Sequence, residues 1–152
     1  MISNNLFEGT EAANSLNNAA ALFAEYLGRR LEAIGMRASY RHVMSPLMEK
    51  DGVTQLELVN KTGLKAPTIS ITLRNMERDG VVRREKNESD RRETHVFITD
   101  KGRQMYNQAL EAYQDAENIL LRDMSEEELK AIVTLMSKAS QSLSAALDAG
   151  EK

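Results

Sequence analysis

Apolar positions recur at helical spacing over most of this chain and change to strand-like alternation in one stretch only. Leu16, Ala20, Phe23, Leu27, Leu31 and Ile34 lie three or four residues apart, which predicts a long helix over 10–34 that Gly35 ends. Leu22 and Tyr26 widen its stripe beyond what one neighbour needs. Tyr40, Val43, Met44, Leu47 and Met48 predict a second helix over 39–49. Pro46 should kink or shorten it, because proline lacks an amide and crowds the preceding turn. From residue 54 the elements become short. Thr54-x-x-Glu57 has the form of a capping box, Leu58 and Val59 then face inward, and Gly63 supplies the turn. The next helix tolerates Pro67 in its first turn and buries Ile69, Leu73 and Met76 at i, i+4 and i+7 before Asp79-Gly80 stops it. Val81-Val82-Arg83-Arg84-Glu85 predicts the start of a strand and residues 94–99, rich in β-branched and aromatic side chains, the returning one, the two joined by a polar loop too long for a tight hairpin. Helical spacing then returns. Met105, Ala109, Ala112 or Tyr113, Ala116, and Ile119 or Leu120 predict a helix from residue 99 or 100 to about 123, and Ser125-x-x-Glu128 caps a last one carrying Leu129, Ile132, Val133, Met136, Ala139, Leu143 and Leu147.

Two short helices followed by two strands and a charged loop have the layout of a winged helix-turn-helix. At about 100° per residue, the face of the second helix opposite its buried stripe holds Pro67, Ile71, Arg74 and Arg78, with Thr68, Ser70 and Asn75 on its flanks. Arginine bonds guanine bidentately, hydroxyls meet bases or phosphates, and an isoleucine packs on a thymine methyl, so this face suits a major groove. An ordinary amphipathic helix with one exposed apolar residue would show the same pattern. The loop that follows carries Asp90, Arg91 and Arg92. A charge run is usually a solvated turn, but directly after a candidate recognition helix it is well placed to put an arginine into a narrow minor groove.

The block from Leu58 to Gly102, with Gly80-Val81-Val82-x-Arg84, Asp90-x-Arg92 and Val96-x-Ile98-Thr99-x-x-Gly102, resembles the MarR/SlyA family of bacterial transcriptional regulators. The resemblance implies a mainly α fold with a small β-wing, a winged helix-turn-helix flanked by long N- and C-terminal dimerisation helices. It implies one domain over 1–152, in which 10–35 and 104–148 are dimerisation helices and 36–102 is the DNA-binding lobe. It further implies a homodimer, Arg92 as the minor-groove arginine, Asp90 as the group that orients it, and release from DNA by a small ligand. The position of Ile71 often carries arginine in similar proteins, which leaves the operator sequence open and not the binding mode. The DNA contacts expected are Lys65, Pro67, Thr68, Ser70, Ile71, Arg74, Asp90, Arg91 and Arg92.

Charge supports that assignment once the chain is divided. The whole chain carries −3. Residues 1–60 carry −2, residues 61–103 carry +4 and residues 104–152 carry −5, so the positive charge is confined to the block that would read DNA. A length of 152 residues fits one domain, although the long end helices suggest that part of the core is shared with a second copy. With no cysteine there is no disulfide, thiolate zinc site or thiol switch, which sets aside the peroxide-sensing branch of the family. The first residues lack a basic n-region or cleavage-like site and the longest apolar run is too short for a bilayer, so the expected location is the cytoplasm of a bacterium or archaeon, at the nucleoid.

For catalysis the inventory is thin. No nucleophile elbow, glycine-rich phosphate loop or paired histidine motif occurs, and His42 and His95 stand alone, so no enzyme activity, cofactor or metal is expected. The family resemblance points to an effector site at the junction of the first, second and fifth helices, with Tyr26, Arg37, Tyr40, His42, Met44 and Tyr113 as candidates and Phe23, Met36 and Arg41 beside them. Aromatic and methionine side chains with an arginine suit an aromatic or phenolic acid; the plain alternative for each is a core or hinge residue. Two function classes follow: a homodimeric, sequence-specific DNA-binding regulator, expected to be a repressor on a pseudo-palindromic operator, or a winged-helix module that binds protein instead.

Overall fold

Helix and sheet alternate in the order the apolar spacing sets. The computed structural model describes residues 10–87 and 93–150. Among these, the helices are α1 (Glu11–Ala33), α2 (Tyr40–Glu49), α3 (Gln55–Thr62), α4 (Ala66–Arg78), α5 (Asp100–Leu121) and α6 (Glu126–Gly150), and the strands are β1 (Val53–Thr54), β2 (Val82–Lys86) and β3 (Thr94–Ile98). The chain divides into two compact units, residues 1–116 and residues 117–152.

In the first unit the core forms where α2, α3, α4, the sheet and the first half of α5 converge. Tyr40, Val43, Met44, Leu47, Val53, Leu58, Ile69, Leu73, Met76, Val81 and Val96 are fully buried, and Met105 and Ala109 of α5 join the same cluster. The winged lobe therefore draws on residues beyond 102, because two strands and three short helices alone leave one side of this cluster open. Pro46 lies inside α2, whose last residue is Glu49, three positions later; the helix is short, as a proline there requires. The sheet has a third strand that no alternation announced. Val53 and Thr54 pair antiparallel with Val96 and His95, giving the order β1-β3-β2, and two residues are too few to display a period. A smaller cluster gathers Leu27, Ala112 and Ala116 with Phe23, Tyr26 and Tyr113 packed against it.

The capping predictions are met at atomic detail. Thr54 Oγ1 accepts from the Glu57 amide at 3.2 Å, and Glu57 Oε2 accepts from the Thr54 amide at 2.7 Å. In the second unit the Ser125 amide donates to Glu128 Oε2 at 2.8 Å and Ser125 Oγ accepts from the Glu128 amide at 3.3 Å. Helix α6 buries none of its residues within this single chain, and Val133, Leu135, Leu143 and Leu147 are each more than half exposed.

Candidate nucleic-acid interface

Helix α4 is the second helix of the helix-turn-helix, and three local features set its start, its seat and its end. Gly63 caps α3 at φ +67°, a conformation that costs glycine little and other residues more, and so turns the chain within three residues into α4. Pro67 falls within the first turn of α4, where its missing amide leaves no helix bond unmade. Ile69, Thr72, Leu73 and Met76 are buried, which fixes the outward face. On that face Pro67, Thr68, Ile71 and Arg74 are exposed, with Ser70 and Asn75 half-buried beside them. Ile71 is 57% exposed, a large apolar group left in solvent at the centre of the helix. Lys65 is exposed at the helix N-terminus, and Arg78 at the other end bonds Asp79 at 3.2 Å.

The wing rises from the same unit. Strands β2 and β3 pair from Val82↔Ile98 to Lys86↔Thr94, and the Asn87 amide donates to the Glu93 carbonyl at 2.9 Å, closing the base of the loop. Asp90, Arg91 and Arg92 lie outside the described residues. Arg83 stands over the Phe97 ring at 4.4 Å on the face of the ribbon away from buried Val82 and Val96. His95 Nδ1 lies 2.8 Å from the Gly52 carbonyl oxygen, tying β3 to the turn before β1.

Ion pairs fix the helices around α4. Lys50 Nζ reaches Glu57 at 3.0 Å and Lys61 Nζ reaches Glu49 at 3.1 Å, two bridges between α3 and the C-terminal end of α2. The Thr54 amide and then Lys50 hold the Glu57 carboxyl down to about 2. Asp79, at the end of α4, is a junction that the sequence marked only as a helix stop. Its Oδ2 accepts from the Tyr40 hydroxyl at 2.5 Å and from Arg37 Nε at 3.3 Å, and its carbonyl accepts from Lys101 Nζ at 2.7 Å. Tyr40's hydrogen bond keeps Asp79 below the usual carboxylate range, and burial followed by that same bond pushes Tyr40 up to about 12.

The six effector candidates fall into three surroundings. Tyr40 and Met44 belong to the fully buried core, and Arg37 stacks on the Tyr40 ring at 5.9 Å beside Asp79. Tyr26 packs on the Leu27 cluster. His42 and Tyr113 line an open cleft of about 580 Å³ between α2, α3 and α5. Met36 and Arg41 line it too, Arg41 Nη1 donating to the Tyr113 hydroxyl at 3.3 Å, and so do Lys61, Tyr106 and Leu110, which the sequence did not single out. Their signal was indirect: Lys61 faces the cleft from α3, and Tyr106 and Leu110 lie two turns and one turn before Tyr113 on α5.

Residues 40–94, from the start of α2 to the first residue of β3, match the sequence profile of the MarR family. The winged-helix block thus carries the sequence profile of the MarR family. It is 29% identical over 118 residues to the uncharacterized HTH-type transcriptional regulator YwoH of Bacillus subtilis (strain 168), covering 78% of this chain and 85% of that one. Its fold is that of the YusO protein from Bacillus subtilis, with a TM-score of 0.77 at 18% identity over 87% of this chain and 94% of that one. A mutant of S. aureus MepR bound to an oligodeoxyribonucleotide aligns with a TM-score of 0.67 at 22% identity, covering 89% of this chain and 99% of that one. These matches support a DNA-binding transcriptional regulator and not the protein-binding alternative. None of the described helices is long and apolar enough to cross a membrane.

Proposed function

We propose that the protein acts as a homodimer on a pseudo-palindromic operator, represses transcription there, and is released by a small anionic aromatic molecule. The exposed pair Ile71 and Arg74 on the outer face of α4 carries this reading. An isoleucine in solvent gains burial against a thymine methyl, and a guanidinium beside it can grip a guanine edge. Lys65, Thr68 and Ser70 would bond phosphates at the helix N-terminus and fix the register. Arg92, with Asp90 and Arg91, would reach the adjacent minor groove. The solution for the exposed apolar residues of α6 is a second copy of the chain, and a dyad then sets two α4 helices into successive major grooves.

For the effector, the cleft near Arg41 favours an aromatic carboxylate. Arg41 supplies positive charge, Lys61 being paired with Glu49 in the same cleft, while Met36, Leu110 and the two tyrosines supply apolar and aromatic walls. The test is a titration of the protein on its own promoter duplex and on a scrambled duplex at several salt concentrations, with and without benzoate. The promoter should be preferred, affinity should fall steeply with salt, and benzoate at millimolar levels should weaken promoter binding. Equal affinity for both duplexes would remove the regulator reading; indifference to benzoate would remove the aromatic-acid effector alone.

A further inference from the structure

Asp79 sits where a carboxylate is least helpful to a helix. The C-terminal end of α4 already carries the negative end of the helix dipole, so an acid in the cap position costs helix stability instead of adding to it. What the carboxylate does instead is bond outward. Tyr40, whose ring is fully buried in the core at the start of α2, donates its hydroxyl proton to Oδ2 at 2.5 Å, and Arg37 reaches the same oxygen from the turn between α1 and α2. From the opposite side Lys101, in the first turn of α5, takes the Asp79 carbonyl. The C-terminal end of the recognition helix is thus held by directional bonds from two other elements.

Such bonds matter because the rest of the seat is apolar. Ile69, Leu73 and Met76 hold α4 against the core through contacts that are strong but non-directional, and these allow small changes of tilt and rotation at little cost. A helix of 13 residues is about 20 Å long, so a tilt of about 5° moves one end by roughly 2 Å relative to the other. Reading base edges requires placement to about 0.5 Å. A hydroxyl-to-carboxylate bond at the helix end is strong enough to remove that freedom.

We propose that Tyr40 and Asp79 are positioning residues for base reading: their bond, with Arg37 beside it, sets the tilt of α4 so that Ile71 and Arg74 meet the base edges. The inference rests on the DNA-reading proposal above. Loss of the bond leaves the charge of the DNA-binding face unchanged, so sequence-independent binding to phosphates persists while discrimination between sequences falls.

The test uses the full chain and two duplexes, the protein's own promoter and a scrambled sequence of equal length, compared at each of several salt concentrations. Tyr40→Phe should weaken promoter binding about tenfold and leave the scrambled duplex within about twofold, with the salt dependence unchanged. Asp79→Asn keeps an acceptor but loses its charge, and should shift the promoter-to-scrambled ratio in the same direction by less. Its side chain is about a quarter exposed, so it gives the reading even if Tyr40→Phe does not fold. In the double variant the losses should be less than additive, because both changes act on one bond. An unchanged ratio in both variants, or a loss that is equal on both duplexes and tracks the melting temperature, would overturn the inference and leave the DNA-reading proposal standing. A wild-type chain with no preference for the promoter overturns both.

Discussion

Arg84 in β2 donates from Nε to Glu77 Oε2 at 2.9 Å, which joins the first wing strand to the last turn of the recognition helix. The hydrogen bond from Arg84 holds the Glu77 carboxyl below its usual range, and Glu77 in return raises the Arg84 guanidinium. The arginine of the Gly80-Val81-Val82-x-Arg84 motif is therefore engaged inside the lobe. Because both side chains are partly exposed, the pair should contribute about 1 kcal/mol or less. Arg84→Met is expected to lower the melting temperature slightly while leaving the salt slope of DNA binding unchanged; a slope shallower by about one unit would mean that Arg84 contacts a phosphate instead.

Much of this lobe was legible in the chain, for reasons that differ by element. Helix α4 carries its own evidence: the Ile69, Leu73 and Met76 spacing fixes the buried side and Pro67 and Asp79-Gly80 fix the ends. Strand β1 was not legible, since Thr54 serves at once as strand residue and N-cap of α3, and only the capping role has a sequence signature. The effector candidates scattered because helical spacing says which residues share a face and not which face meets the core. Tyr40 and Met44 turned inward, while His42, between them, lines the cleft with Arg41. Asp79 as a junction was hidden for another reason: its partners Tyr40 and Lys101 lie 39 and 22 residues away, and no short motif encodes that distance.

Gly102 accounts for the last motif position in physical terms. A Cβ there would stand 2.3 Å from the Val81 carbonyl oxygen and 2.7 Å from Ile98 Cγ1, and backbone cannot move aside as a flexible side chain can. Gly102→Ala should therefore destabilise the fold, although alanine is the better helix former, by about 1–3 kcal/mol in chemical denaturation. An unchanged or higher stability would show that α5 can shift away from the sheet at no cost.

The Thr54–Glu57 capping box makes a pH-dependent contribution whose sign is fixed. Glu57 is held down to about 2 in the folded chain from an ordinary value of 4.5, so its contribution is present above about pH 4.5 and is lost as pH falls toward 2. Glu77, Asp79 and Glu128 are also lowered, so the wild-type curve alone does not isolate it. The difference in melting temperature between wild type and Glu57→Gln should be largest near neutral pH and shrink on acidification below pH 4.5. A difference constant from pH 7 to pH 3 would contradict the assignment.

The exposed stripe of α6 predicts an association-dependent fold. Leu143 is 66% and Leu147 72% exposed in the single chain, positions that solvent alone does not favour over so long a helix. Leu143→Glu should lower both the dimer fraction in sedimentation and the melting temperature, and the wild-type melting temperature should rise with protein concentration. A well-folded 17.0 kDa monomer at micromolar concentration would remove the homodimer from the account.

The central claim, that the outer face of α4 reads bases, is tested most directly by selecting bound duplexes from a randomised pool with wild type, Ile71→Ala and Arg74→Ala. Wild type should return an inverted repeat with half-site centres about 10 bp apart. Each variant should return the same spacing with relaxed preference at one or two base pairs per half-site, a change worth about 1–3 kcal/mol of discrimination for a bidentate arginine. Identical sequence preferences from all three proteins would contradict the claim, because these two exposed side chains of the outer face would then contribute nothing to what is read.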